Sequence, residues 1–175
     1  MKNIRLIGLA SICLAALYGC GSQETQQSDP KQSAAAAKIR ERFEGFSFEL
    51  PDDWIRVEPD KPKTRAMLLL GAERWNLAEA MIKIDVGKPV VNDTKALAKK
   101  FVDDLGGAVR QQEILIDGEK GIHVTSIKAA PTLAQPTDVA VIMHEGRVFL
   151  IMGAAKTHGV IAEPLETILQ SWRWE

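Results

Sequence analysis

Cysteine is nearly absent from this 175-residue chain, and its two examples, Cys13 and Cys20, both lie near the amino end. The rest of the sequence therefore has neither a disulfide nor a thiolate metal site. It also lacks a Gly-x-Ser-x-Gly nucleophile turn and a glycine-rich loop ending in Gly-Lys-Ser or Gly-Lys-Thr, which excludes the common serine-hydrolase and phosphate-loop patterns. The three histidines, His123, His144 and His158, show no His-x-x-x-His spacing, so no metal is predicted. Positive charge is not concentrated: 22 Lys and Arg stand against 23 Asp and Glu, and Lys61, Lys63, Lys99 and Lys100 are scattered. Nucleic-acid binding and an electrostatic grip on anionic lipid both need clustered basic residues and are excluded on that ground. The apolar run from Leu6 to Tyr18 has 13 residues. As a helix it would rise about 20 Å, too short for the roughly 20 residues a bilayer span requires.

What the amino end does contain is an export signal: Lys2 and Arg5, then the apolar run, then Leu17-Tyr18-Gly19-Cys20. Those last four residues resemble the lipobox of bacterial lipoproteins. The resemblance implies diacylglycerol on the Cys20 thiol, cleavage between Gly19 and Cys20, and acylation, with palmitate for example, of the new amino group. Tyr18 stands where a small residue is commoner, which leaves ordinary secretion with a nearby cut as the alternative. Two or three acyl chains, at about 0.8 kcal/mol per buried methylene, hold a protein durably where one does not. Cys13 departs with the signal, leaving 20 basic and 23 acidic residues, a net charge of -3. Gly21 resembles the residue after the lipidated cysteine in outer-membrane lipoproteins, whereas retained ones commonly carry Asp. The expected location is a membrane surface outside the cytoplasm, the outer membrane where a cell has two.

Composition divides the chain into a signal peptide at 1–19, a lipidated cysteine and tether at 20–42, and a globular domain at 43–175. Gly21 to Ser33 has no large apolar side chain, and Ala34 to Ala37 leads into the charged stretch Lys38 to Arg42. That reads as a flexible tether with a short helical stub, reaching about 20–25 Å if it behaves as a coil. The domain is long enough to bury a core without disulfides.

Within the domain, Phe46, Phe48 and Leu50 alternate with Ser47 and Glu49, and Pro51 with Asp52-Asp53 then turns the chain toward a return strand at Trp54, Ile55 and Val57. A buried strand is expected over Ala66 to Leu70 and a half-buried one over Ala80 to Val86, with Trp75 in the loop between them. Asn92-Asp93 caps a helix whose apolar stripe is Leu97, Phe101 and Leu105 and which stops at Gly106-Gly107. Strands follow at Val109 to Ile116, Gly121 to Lys128, Asp138 to His144 and Arg147 to Ala155. They turn at Asp117-Gly118 and Glu145-Gly146, with Gly121 a possible extension of the first loop. A helix with Pro164 in its first turn and a stripe of Leu165, Ile168, Leu169 and Trp172 closes the chain. Hairpin-joined strands with one helix midway and one at the end predict an α+β fold, an antiparallel sheet covered by helices.

The stretch Phe46-Ser47-Phe48-Glu49-Leu50-Pro51-Asp52-Asp53-Trp54 resembles the opening of the PsbP-like fold. So do the helix ending in Leu105-Gly106-Gly107, the hairpin with Gly118 and Gly121, and the closing Ile168-Leu169-Gln170-Ser171-Trp172. The resemblance implies an α/β/α sandwich. It also implies a scaffold used mainly to bind proteins: the family includes the extrinsic photosystem II protein, a small Ran-binding import factor and many envelope lipoproteins. It carries no family-wide catalytic motif.

Side chains capable of chemistry read mainly as structure. Ser126 and His123, three apart on a strand, fall on opposite faces, so no proton passes between them. The histidines read as surface residues. Asp52-Asp53 and Asp103-Asp104 are neighbours that diverge, whereas acid–base catalysis needs carboxylates that converge on a substrate. Trp54 and Trp172 fit core stripes. Trp75, in a loop, and Trp174, beyond the last helix, are the candidate exposed pair for a partner, since Trp is enriched at interface hot spots. The expected function is a non-catalytic envelope lipoprotein, held by its lipid in the membrane, that binds a protein partner without metal or cofactor as an assembly or stability factor. A carrier of small apolar ligands such as lipid, or an enzyme without a recognisable motif, are the alternatives.

Overall fold

A computed structural model describes residues 38–104, 109–126, 132–133, 135–157 and 159–175. Cys13, Gly19, Cys20, Gly21, the glycine stop at 106–107 and His158 lie outside them. The described chain opens with the hairpin β1 (Arg40–Phe43) and β2 (Phe46–Glu49) and then forms β3 (Trp54–Val57), β4 (Thr64–Leu70) and β5 (Ala80–Gly87). Helix α1 (Thr94–Asp104) leads to β6 (Val109–Ile116), β7 (Glu119–Ser126), β8 (Asp138–His144) and β9 (Arg147–Ala155). Helix α2 (Ala162–Ser171) and the short β10 (Arg173–Trp174) complete it. Seven strands make one sheet in the order β3-β4-β5-β9-β8-β7-β6, and β1-β2-β10 make a second. Every strand pair is antiparallel.

Strand alternation gives the large sheet two apolar faces, which explains its place in the middle of the sandwich. One face presents Ile82, Ile84, Ile142, Phe149 and Ile151, and on it lie Phe46 and Phe48 of the small sheet with Leu165 and Ile168 of α2. On the other face Ala98, Leu97, Phe101 and Val102 of α1 pack against Ile122, Val124, Val139 and Val141. The layers are those of a sheet covered by helices, with a small second sheet added to one cover.

Two departures from expectation concern that second sheet. The strand Trp54–Val57 does not return along β2; it pairs with β4, its Trp54 opposite Leu70. β2 lies instead between β1 and β10. Ser47, which alternates with the apolar Phe46 and Phe48, is buried as well. The Arg40 guanidinium donates to Ser47 Oγ at 3.3 Å, to the Ser171 carbonyl at 3.0 Å and to Glu49 at 3.4 Å. The second departure is the boundary at 42/43: Arg40–Phe43 is a strand, and the fold begins before Phe43. Its charges suggest a solvated helical stub, but successive positions meet specific partners. Arg40 faces Glu49, Glu41 accepts from Arg56 at 2.8 Å, and Arg56 also lies 4.7 Å from the centre of the Phe43 ring.

The hairpin turns fall where expected. Asp117 and Gly118 have φ of 45° and 90°, and Glu145 and Gly146 have 46° and 71°. Left-handed backbone at both central positions belongs to the tight turn whose twist matches flanking strands. Gly121 does not lengthen the first turn: it lies inside β7, where a Cβ would stand 2.9 Å from the Val141 carbonyl oxygen.

Trp172 joins the layers. It is fully buried, stacked on Phe46 at 4.5 Å between ring centres, and edge-on to Phe149 at 6.2 Å. Its indole N–H meets no protein acceptor among the described residues. Trp172→Ala is expected to cost about 3–5 kcal/mol, the usual range for a truncated core aromatic. Trp172→Phe should cost clearly less, because it keeps ring packing and removes a buried donor left unpaired. Denaturant midpoints measure both, and equal losses would place the stability of this site in the indole as a whole.

Candidate functional site

After β5, the chain crosses through Lys88-Pro89-Val90-Val91 to the start of α1. Asp93 Oδ1 accepts from the Lys95 amide at 2.9 Å, the side-chain cap that the sequence predicts. α1 then covers β7 and β8 through its apolar stripe, so β6 is left beyond the helix as the outer strand. Among the described residues β6 pairs with β7 alone, in continuous register from Val109–Ser126 to Ile116–Glu119.

Between the first turn of α1 and the β6–β7 hairpin lies an open groove of about 580 Å³, lined by Asn92, Asp93, Lys95, Glu113, Leu115 and Ile122. Leu115 is 69% exposed on its rim, and Val90, in the loop leading to α1, is 89% exposed. The Lys95 ammonium and Glu113 carboxylate meet at 2.9 Å. Their hydrogen bond, and secondarily their opposite charges, raise the Lys95 pKa above 10.5 and hold that of Glu113 below 4.5. Both side chains are solvated, so the pair adds little to stability. What it does is tie the start of α1 to the edge strand. The groove thus combines apolar side chains and one exposed ion pair, and it borders β6, whose other edge has no strand partner among the described residues. These features suit recognition of an extended peptide, whose main chain pairs with an edge while alternate side chains find apolar contacts.

The other candidate residues are dispersed. Trp75 is exposed at 52%, in the loop between β4 and β5. Trp174 is not exposed in the same way. It belongs to β10, pairs with Phe46 on β2, stacks on His144 at 4.0 Å and meets Phe149 edge-on at 4.9 Å. Its backbone amide donates to Asp117 at 2.8 Å, which fixes it beside the β6–β7 turn. Trp75 precedes the start of β5 and Trp174 sits near the strands' opposite ends, so the two do not form one surface.

His123 and His144 are half-buried and paired instead of lying free on the surface. His123 Nε2 is 3.4 Å from Asp138 Oδ1 and 3.3 Å from Thr125 Oγ1, and His144 Nδ1 is 3.0 Å from Glu119. Ser126 falls on the opposite face of β7 from His123, as strand periodicity requires. Asp52 and Asp53 occupy the turn before β3, where Asp53 has φ of 64°. Asp103 is held by Lys99 one helical turn away at 2.9 Å. No group of three potential metal ligands converges among the described residues.

Sequence reasoning missed the groove and the burial of Asp85 and Asp138. Ile114 and Ile116 share a face of β6, so the intervening Leu115 had to point the other way, an available but unused sign of an exposed apolar residue. Asp85, on the strand expected to be half-buried, is buried; Thr64 donates to it at 2.7 Å, and Lys63 and Lys83 each stand 3.3 Å away.

The acid limb of the Lys95–Glu113 pair can be tested. With Glu113 depressed and Lys95 raised, the pair is complete between about pH 4.5 and 10.5. It is lost on acidification as Glu113 protonates below 4.5, and in strong base as Lys95 deprotonates above 10.5. Carbon-detected NMR titration should show a lower Glu113 midpoint in the wild type than in Lys95→Met. Coincident midpoints would mean that the pair does not persist in solution.

No protein family matches the sequence, and no curated protein does. Among solved structures, a protein from Bacteroides thetaiotaomicron matches with 10% identity over 74% of this chain and 45% of its own length, at a TM-score of 0.43. Cyanobacterial PsbP from Synechocystis sp. PCC 6803, determined in solution, matches over 91% of this chain and 99% of its own length, with 13% identity and a TM-score of 0.51. The antiparallel sheets and the two helices packed on them have a PsbP-like fold.

Proposed function

We propose that this chain is a lipoprotein of the cell envelope, anchored through Cys20, whose PsbP-like domain is a non-catalytic module that binds an extended segment of a protein partner in the groove beside β6. The observation that carries the binding half is the exposed Leu115 on an eight-residue edge strand that has no second neighbour among the described residues. The anchoring half rests on the charged start, the short apolar run and the Leu17–Cys20 pattern. Gly21 favours the outer membrane where there are two.

Carriage of a small apolar ligand between the layers is less well supported, because the aromatic rings of Phe46, Phe48, Phe149 and Trp172 occupy that space in mutual contact. The non-catalytic reading is supported by the groove's charges: Lys95 and Glu113 are committed to one another, and His123 and His144 are paired elsewhere.

A photo-cross-linking residue placed at Lys120, on the groove wall, in living cells should trap one envelope protein reproducibly. The yield should fall at least about tenfold, equivalent to 1.4 kcal/mol of binding, when Leu115→Asp is added. The Cys20→Ala chain should leave the membrane fraction. Trapping that ignores Leu115→Asp would remove the groove from the proposal, and a Cys20→Ala chain that stays with membranes would remove the anchor.

A further inference from the structure

The large sheet has two distinct ends. The hairpin turns at Asp117-Gly118 and Glu145-Gly146, the exit of β5 at Gly87 and the groove lie at one. The other end holds the loop from Gly71 to Glu79, between Leu70 and Ala80, which pair with one another. The eight residues of β5, at about 3.3 Å each, put roughly 25 Å between the two ends.

The chain enters the fold at the second end. The Ile39 carbonyl accepts from the Leu50 amide at 2.7 Å; Leu50 leads through Pro51 to Trp54, and Trp54 pairs with Leu70 at the base of the Gly71–Glu79 loop. Ile39 is itself 62% exposed. Residues 21–37 separate Cys20 from Lys38. Covalent geometry alone keeps that end within about 60 Å of whatever holds Cys20, whatever path they take.

The same end displays Trp75 and Leu77 on a loop that is firmly held. The Arg74 carbonyl accepts from both the Leu77 and Ala78 amides, at 3.0 and 3.1 Å. Ala78 is buried against Leu69, Leu133 and Ala154, and Glu79 bonds to Leu70 and Lys156 through the backbone. Ala78 thus fixes the loop to the core while Leu77, 63% exposed, and Trp75 face solvent. Ile55 of the edge strand β3, also exposed, pairs opposite Leu69 of β4. A Trp beside an aliphatic residue, with Arg74 adjacent, has the composition of an interfacial contact, in which the indole settles at headgroup depth and the aliphatic chain enters the acyl boundary. Glu73, Arg74, Glu79 and Lys156 mix signs at this end, so apolar insertion rather than attraction to anionic lipid would drive the contact.

We propose that Trp75 and Leu77 dock the domain onto the bilayer that holds its anchor, fixing the groove on the side away from the lipid. This rests on the anchoring half of the proposed function and adds an orientation to it.

The full lipidated chain, extracted from cells and reconstituted into vesicles of phosphatidylcholine brominated on its acyl chains, provides the test. Tryptophan emission is compared with that in unbrominated vesicles, and Trp75→Phe isolates the contribution of Trp75 from those of Trp54, Trp172 and Trp174. Docking predicts that most of the Trp75 emission is lost to bromine and that Leu77→Asp restores it. Vesicle flotation is measured on the same samples. A chain that fails to float overturns the anchor and the docking with it. A chain that floats while Trp75 emission is unchanged by bromine overturns the docking alone, leaving Trp75 as a surface for a protein.

Discussion

The contact on which the architecture depends is the stack of Trp172 on Phe46, with Phe48 and Phe149 around it. The small sheet has three strands, the longest of four residues, and its backbone pairing is too slight to stand alone. Its attachment comes from aromatic area buried against the large sheet, where each ring removes on the order of 150–250 Å² from water. The residues around the stack follow from it: Trp172 must leave α2 at an angle that sets β10 beside β2, and β10 then brings Trp174 over His144. A loop, a helix end and a turn are thereby placed by one group of side chains.

The polar contacts at the rim act differently. Arg40 joins Ser47, Glu49 and the end of α2, while the Ser171 hydroxyl accepts from the Glu49 amide at 2.8 Å and donates to the Thr167 carbonyl at 2.7 Å. These satisfy backbone groups that the layer junction would otherwise leave without partners, so their contribution is chiefly to specificity of register. Asp85 solves a similar problem on the large sheet, where a buried carboxylate is tolerable because a hydroxyl and two ammonium groups surround it.

Local periodicity carried most of the fold. Val109–Ile116, Asp138–His144 and Arg147–Ala155 could be bounded correctly because their alternation and two-residue turns are both local signals. The pairing of β2 could not, since the choice between β3 and β10 as neighbour is made by Trp172, far along the chain. Arg40–Phe43 misled for a related reason: its charges find partners at Glu49, Arg56 and Glu175, and an ion pair between distant positions looks in sequence like two solvated residues. Of the candidate site, Trp75 was legible as a large apolar residue among loop-forming neighbours. Trp174 was misread because the two-residue strand holding it is too short to show a period. The groove depends on where α1 lies across the sheet, which no spacing within α1 or β6 encodes.

The place of β10 has a consequence for how the domain is made. Glu49 and Ser171, which meet across the layer junction, are 122 positions apart in the sequence. Synthesis runs from the amino end, so Phe46 and Phe48 exist long before the tryptophan that covers them. During that interval a nascent chain carries an uncovered aromatic strand, the kind of surface that collects other unfinished chains. The domain closes only when its last segment arrives, which makes a holding factor during biogenesis most useful to the incomplete chain and of little use to the finished one.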